Sequence, residues 1–380
     1  MRFVTTQRPY NFSAGPAILP PPVFEQTAEA VRAIAAPGDD SLESKLSILE
    51  ISHRSKTFDR IHEDAIALVH DVLGVPRTHK VLLLQGGASL QFSMVPMNLR
   101  RPDAPACYVD TGVWSKKAVA ESKLLGPTQV LASSASTGYD RIPAMPDASA
   151  YAGASYLHIT TNNTIYGTEF AEIPVAAGGV PLVADMSSNI GARPMQMSRV
   201  ALGYAGAQKN LGPSGVTLVF IHEDLLAAEP AGGPLPTMLD YRTHAEANSL
   251  YNTPNTFGIL VLRNVLAWMK AEGGVEAIGA VNRRKADKVY AALDASDLYR
   301  PHAQPDSRST MNVTWTLAGS DDAEIESRTK ALLSAAEKAG MSGLKGHRSV
   351  GGCRASIYNA FPEDGVDALC EFLAEFARTA

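Results

Sequence analysis

Short apolar runs alternate with longer amphipathic stretches through most of this 380-residue chain, and that rhythm limits its fold more than any other feature. Residues 80–85 (KVLLLQ) read as a buried strand, and Gly86-Gly87 then opens a helix from Ala88. Residues 106–110 read as a strand and 113–125 as a helix. Further strands are expected at 155–160, 180–185, 201–205 and 216–221. Strands alternating with helices imply βαβ units and a mostly parallel sheet. In such sheets ligands sit beyond the carboxyl ends of the strands. Upstream, residues 23–36 form a first helix ended by Pro37-Gly38, and 57–73 a second. In the second, Ile61, Ala65, Leu68, Val69 and Val72 share one face and Gly74 is the stop.

The C-terminal third has a different pattern. A long helix at 256–272 is followed by Gly273-Gly274, a helix through Leu293, a strand at 311–317 and a helix at 323–339. A strand at 354–358 and a last helix from Glu363 complete the chain. The expected fold class is therefore α/β. A large domain over 20–270 carries the sheet, and 271–380 form a smaller α+β domain with residues 1–19 packed on it.

Composition removes other classes. The chain is 45% hydrophobic and 19% charged with a net charge of -5, as in an ordinary globular protein. Nothing in that balance suggests nucleic-acid binding. No run nears the roughly 18 apolar residues of a membrane span, and residues 1–16 lack the apolar core of a secretory signal. Cys107, Cys353 and Cys370 are too few and too dispersed for a disulfide framework or a metal site. A cytoplasmic location with reduced thiols is the expectation.

Four features fall at strand-to-loop junctions. Asp185 ends the apolar run VPLVAD, where a carboxylate is costly to bury unless a cation meets it. Taken alone it also fits a helix N-cap or turn. Lys209 lies among small residues (AGAQKNLG) between two strands, where a desolvated amine becomes a nucleophile, although most loop lysines are solvated. The pairing matters more than either residue. A lysine that forms a Schiff base, opposite an aspartate on a pyridinium nitrogen, is the recurrent pyridoxal-phosphate arrangement. The third feature is QGGASLQ (85–91), whose glycines and helix N-terminus suit a phosphate, or else form a bare strand–helix turn. The fourth is Trp114, able to stack on a ring or to fill a core. Cations gather at His53-Arg54, His347-Arg348 and Arg354 in Gly/Ser-rich settings that suit carboxylates and phosphates, or form ordinary solvated surface.

Read together, these segments resemble the class V, fold-type-I aminotransferases, and within them the phosphoserine aminotransferase family. The marks are NFSAGPAILP (11–20), ISHRSK (51–56), GGASLQFSMVPMNL (86–99), DTGVWS (110–115), VADMSSNI (183–190), YAGAQKNLGPSG (204–215), YNTPNTF (251–257) and KGHRSVGGCRASIYNA (345–360). The resemblance implies that Lys209 bonds pyridoxal 5'-phosphate, Asp185 pairs with its ring nitrogen and Trp114 stacks on the ring. It gives Thr164 a cofactor contact, Ala88 and Ser89 backbone bonds to the phosphate, and Gln208 a phosphate contact. Asn252 and Thr253 would come from the second subunit of a homodimer. Arg54 would bind glutamate, Arg354 the α-carboxylate, and His53, His347 and Arg348 the distal anion. Some members carry Gly-Arg where this chain has Ala88-Ser89, and some carry Pro at Asn255; neither change touches the chemistry.

The implied activity is amino transfer between L-glutamate and 3-phosphohydroxypyruvate, giving O-phospho-L-serine and 2-oxoglutarate, in serine and also pyridoxine biosynthesis. No metal is expected. One pocket made of His53, Arg54, His347 and Arg348 would accept both a carboxylate and a phosphate. The alternatives are an alanine–glyoxylate aminotransferase, a cysteine desulfurase using Cys353, a non-catalytic regulator, and a nicotinamide-dependent enzyme. No G-x-G-x-x-G follows a strand to support the last.

Overall fold

The structure is a computed structural model that describes residues 8–34, 41–228, 230 and 233–379. In chain order, strand β1 (Tyr10–Asn11) and helices α1 (Pro21–Arg32) and α2 (Lys56–Leu73) come first. They are followed by β2 (His79–Leu84), α3 (Gly87–Leu99), β3 (Ala106–Asp110), α4 (Val113–Leu125) and β4 (Thr128–Ser133). Strands β5 (Tyr156–Thr160), β6 (Asn162–Asn163), β7 (Thr168–Glu169), β8 (Leu182–Asp185), β9 (Leu202–Gly206) and β10 (Thr217–His222) continue the middle of the chain. Helices α5 (Glu223–Ala227), α6 (Tyr241–Glu246), α7 (Thr256–Ala271) and α8 (Gly274–Asp294) come next. The last elements are β11 (Tyr299–Pro301), β12 (Asn312–Leu317), α9 (Asp322–Lys338), β13 (Met341–Ser342), β14 (Cys353–Ser356) and α10 (Glu363–Thr379).

Seven strands form the main sheet in the order β2-β10-β9-β8-β5-β3-β4. Its pairings are parallel except those of β10, which runs antiparallel to β2 and β9. Both faces are covered, as a parallel sheet requires. The strand pleat divides the apolar side chains between two cores. Val81, Leu83, Leu157, Ile159, Leu218 and Phe220 pack on one face. Leu82, Leu84, Tyr156, Val219 and Ile221 pack on the other.

Local chemistry fixes the covering helices. The Ser55 hydroxyl accepts from Phe58 N at 3.2 Å and starts α2, and Gly74 at φ 71° ends it. Its expected apolar face is in place: Ile61, Ala65, Val69 and Val72 are buried. Burying such side chains contributes about 1.5–3 kcal/mol for each large one. The first helix stops at Arg32, four residues before its expected end, because Ala33 turns extended and Ile34 N bonds Leu46 O instead. The Pro37-Gly38 stop lies outside the described residues.

A third core surrounds the antiparallel sheet β11-β12-β14 and includes Trp315, Leu332 and Leu369. Phe12 belongs to this core, and β1 pairs with β13 beside it. None of the helices among the described residues is long and apolar enough to cross a membrane.

Candidate active site

The carboxyl ends of β2, β5, β8 and β9 open on a cavity of about 330 Å³. Its lining includes Ala88, Ser89, Trp114, Thr164, Asp185, Gln208, Lys209, His347 and Arg354. Nine of the expected site residues therefore meet in one place, from segments more than 200 residues apart.

Asp185 is the last residue of β8 and is 5% exposed. Its Oδ1 accepts from Ser187 Oγ at 2.6 Å and Ser187 N at 3.0 Å. Its other oxygen receives no hydrogen bond from the described residues. Burial pushes this carboxyl above its ordinary range, while Ser187 and the charge of Lys209 pull it back. Lys209 follows β9, and its Nζ donates to Thr164 Oγ1 at 2.7 Å. Burial lowers this amine to about 8; Asp185 opposes the shift and Arg354 adds to it. The residue as a whole is half-buried where it borders the cavity. Both groups are thus shifted toward neutrality, because burial outweighs their mutual attraction.

The turn after β2 prepares an anion seat. Gly86 sits at φ 91° before α3, a left-handed conformation that favours glycine. The N–H groups of Gly87, Ala88 and Ser89 lie in the first turn of α3, where no intrahelical acceptor exists. Trp114 lies in the first turn of α4; its ring centroid lies 5.8 Å from Lys209 Nζ, and its buried Nε1 has no partner among the described residues.

Arg354, on β14, forms the cationic wall. Its Nη1 reaches Thr164 O at 3.4 Å, and its buried Nε has no partner among the described residues. Among the described residues no carboxylate pairs with it. Burial lowers its guanidinium. His347 stands beside it and is lowered by burial and by the charges of Arg354, Arg348 and Lys117.

Five expected residues lie outside this cavity. His53 is half-buried and Arg54, Arg348, Asn252 and Thr253 are exposed. Asn252 lines a separate small cavity behind the Gly86 turn, with Leu90 and Met94. The sequence reading missed Ser187, which clamps Asp185, and the segment Ala14-Gly15, which closes one side of the cavity. That segment is fastened by Ala17 N donating to Gln208 O at 2.9 Å. Cys353 is fully buried and its thiol is pushed up to about 12, so no reactive thiolate supports desulfurase chemistry.

A ring-bearing aldehyde with an anionic tail fits these groups. The α3 N-terminus could hold the anion, the Trp114 face the ring, the free oxygen of Asp185 a protonated ring nitrogen, and Lys209 the aldehyde carbon. The comparisons with known proteins agree with that chemistry. The family model of class-V aminotransferases matches residues 9–369, and the chain belongs to that family. Within it, the chain is similar to the phosphoserine aminotransferase of Lysinibacillus sphaericus, 50% identical over 374 residues, 98% of this chain and 99% of that one. It also superposes on the phosphoserine aminotransferase of Bacillus circulans subsp. alkalophilus with a TM-score of 0.89 and 46% identity, covering 98% of this chain and 99% of that one. A third relative is the PLP-bound phosphoserine aminotransferase of Trichomonas vaginalis, with a TM-score of 0.85 and 34% identity over 96% of this chain and 99% of that one.

Proposed function

We propose that this chain is a pyridoxal-phosphate-dependent phosphoserine aminotransferase. It moves the amino group of L-glutamate to 3-phosphohydroxypyruvate and releases 2-oxoglutarate and O-phospho-L-serine. The observation that carries the reading is a lowered amine, Lys209, sharing one cavity with the buried carboxylate Asp185. The names of the relatives at about half identity over the full chain support the choice of substrates. When bound, the cofactor supplies an aldehyde and an electron-accepting ring.

The chain's own groups do the rest. Asp185, oriented by Ser187, holds a negative charge where the ring nitrogen needs a proton. Lys209 Nζ takes the Cα proton of the amino donor and returns a proton to the acceptor carbon. The first turn of α3, with Gln208, binds the phosphate of the cofactor. Arg354 takes the α-carboxylate common to both substrates, with the bidentate geometry that guanidinium favours. His347 and Arg348 bind the distal carboxylate or phosphate.

His53, Arg54, Asn252 and Thr253 act in this reading from the second copy of a homodimer. Support comes from the exposure of Arg54, Asn252 and Thr253 and from exposed Leu42, Leu49 and Tyr251 near them in sequence. Leu42 is 81% exposed and Leu49 66%, values that suit a covered face better than a free one. We also assign the chain to the cytoplasm, where its three free thiols suit a reducing milieu, and divide it into domains at about residue 270.

A coupled assay with L-glutamate and each of 3-phosphohydroxypyruvate, glyoxylate and pyruvate tests the function. Preference for the phosphorylated acceptor is expected, and equal use of glyoxylate or pyruvate overturns it. Mixing Lys209→Ala chains with Arg54→Leu chains tests the shared site. A homodimer that lends Arg54 restores about a quarter of wild-type activity, because one site in each mixed dimer is whole. No restoration overturns the lending.

A further inference from the structure

Helix α8 carries a lysine remote from the cavity lining. Lys285 is fully buried, and its Nζ donates to three carbonyls of one short segment: Ile357 O at 3.1 Å, Tyr358 O at 2.8 Å and Phe361 O at 3.1 Å. Three acceptors use every proton an ammonium has. No carboxylate pairs with it among the described residues. Glu363, whose charge acts on it, is bound to Arg284 at 3.1 Å and Lys288 at 3.4 Å. Burial pushes the amine down to about 7, and the charge of Glu363 opposes that shift. A buried charge without a counter-ion is a poor source of stability, and an apolar side chain of similar length fills such a space at lower cost. What an ammonium adds is geometry, because it draws three carbonyls to one point.

The segment it gathers is tied to the cavity on several sides. Residues 357–361 directly continue β14, which carries Arg354. Tyr358 OH donates to Ala14 O at 2.8 Å, beside Gly15 on the cavity wall. Asn359 N donates to Asn210 Oδ1 at 3.1 Å, and Asn210 is the neighbour of Lys209. Asn282, one turn before Lys285 on α8, adds a second hold through Nδ2, which donates to Asn359 Oδ1 and to Ala192 O, both at 2.8 Å.

We propose that Lys285 is a positioning residue of the active site: by gathering residues 357–361 it fixes Arg354 and Lys209 relative to each other. The inference rests on the proposed aminotransferase reading for its kinetic consequences. Its physical core, the order of the 353–361 segment and the setting of Lys209, stands apart from the choice of substrate.

The test is Lys285→Met in the holoenzyme, with three readouts. The KM values for L-glutamate and the phosphorylated keto acid both rise by about tenfold, while kcat changes by less than about threefold, because the gathered segment directly continues the strand of Arg354 and reaches Lys209 only through Asn359 and Asn210. Amide hydrogen exchange of residues 353–361 speeds up. The visible cofactor band titrates at a shifted pH. A variant with a lower Tm but wild-type KM values, exchange and band overturns the proposal, and so does a loss confined to kcat. If Lys285→Met gives no soluble protein, Asn282→Ala carries the test: a rise of about threefold in both KM values is expected, and unchanged values overturn it. If the wild-type chain transfers no amino group to a phosphorylated keto acid, the proposed function fails. The exchange and band measurements, made without substrate, then still decide on Lys285.

Discussion

Replacing Arg354 by leucine separates its role in binding from any role in folding. Arg354 is half-buried, and among the described residues its Nε has no partner and its Nη1 makes one long contact to Thr164 O at 3.4 Å. At least two of its N–H directions are therefore open to a carboxylate fork. Removing one partner of such a desolvated charge pair costs about 2–5 kcal/mol. At about 1.4 kcal/mol per decade, kcat/KM falls roughly 30- to 3,000-fold. The fall is expected for L-glutamate and for the phosphorylated keto acid alike, because both present an α-carboxylate. Stability moves the other way. Arg354 holds its charge without an acidic partner among the described residues, so leucine leaves Tm unchanged or raises it. Steady-state kinetics with each substrate and a thermal melt of the same preparation give the answer. A loss for only one substrate, or a depressed Tm with kcat/KM within threefold of wild type, refutes the reasoning.

Other outcomes follow from the same cavity. Lys209→Ala abolishes the visible absorbance of chain-bonded cofactor and lowers turnover by at least about 10²- to 10⁴-fold; a variant that keeps the band removes Lys209 from the mechanism. The neutral amine is the nucleophile, so the rate at which the cofactor-free protein captures pyridoxal phosphate rises with pH, is half-maximal near 8, and levels off about a unit above. A plateau reached only above about 10, the ordinary lysine range, contradicts that assignment. Ser187→Ala removes a hydrogen bond to a charged group, about 1.5–3 kcal/mol, and lowers kcat about ten- to hundredfold with little change in substrate KM. Full recovery of kcat with excess cofactor would place Ser187 in cofactor capture instead.

Much of this was legible in the chain because the relevant signals are local. The apolar runs before Asp185 and Lys209 declare strand ends, and strand ends declare the site. The expected strand at 180–185 starts at Leu182 in the structure, since Pro181 has no N–H to give the ladder. Strand β4 escaped notice because it lies on the sheet edge with Val130 45% exposed, so no continuous apolar run marks it. The two-residue strands β6 and β7 are too short to show a period. Ser187 and Lys285 were illegible for another reason. A serine two residues past an aspartate, or a lysine in a charged helix, acquires meaning only from partners that folding brings to it, 72 to 76 residues away for Lys285. The place of His53, Arg54, Asn252 and Thr253 in the site rests on the homodimer proposed above, which the sequence of one chain does not spell out.

Strand β10 has a further effect through its direction. It starts where β2 and β9 end: Thr217 pairs with Leu84 on one side and with Gly206 on the other. One strand therefore separates the turn of Gly86 from the loop of Lys209, and two interstrand steps of about 4.8 Å set their spacing at roughly 10 Å. The long side chain of Lys209 takes up part of that spacing, so a ligand that engages both spans less than the strand separation between its anionic tail and its reactive carbon. Free phosphate satisfies one end only, and so does a short aldehyde. The sheet thus favours a ligand that joins an anionic tail and a reactive carbon in one molecule.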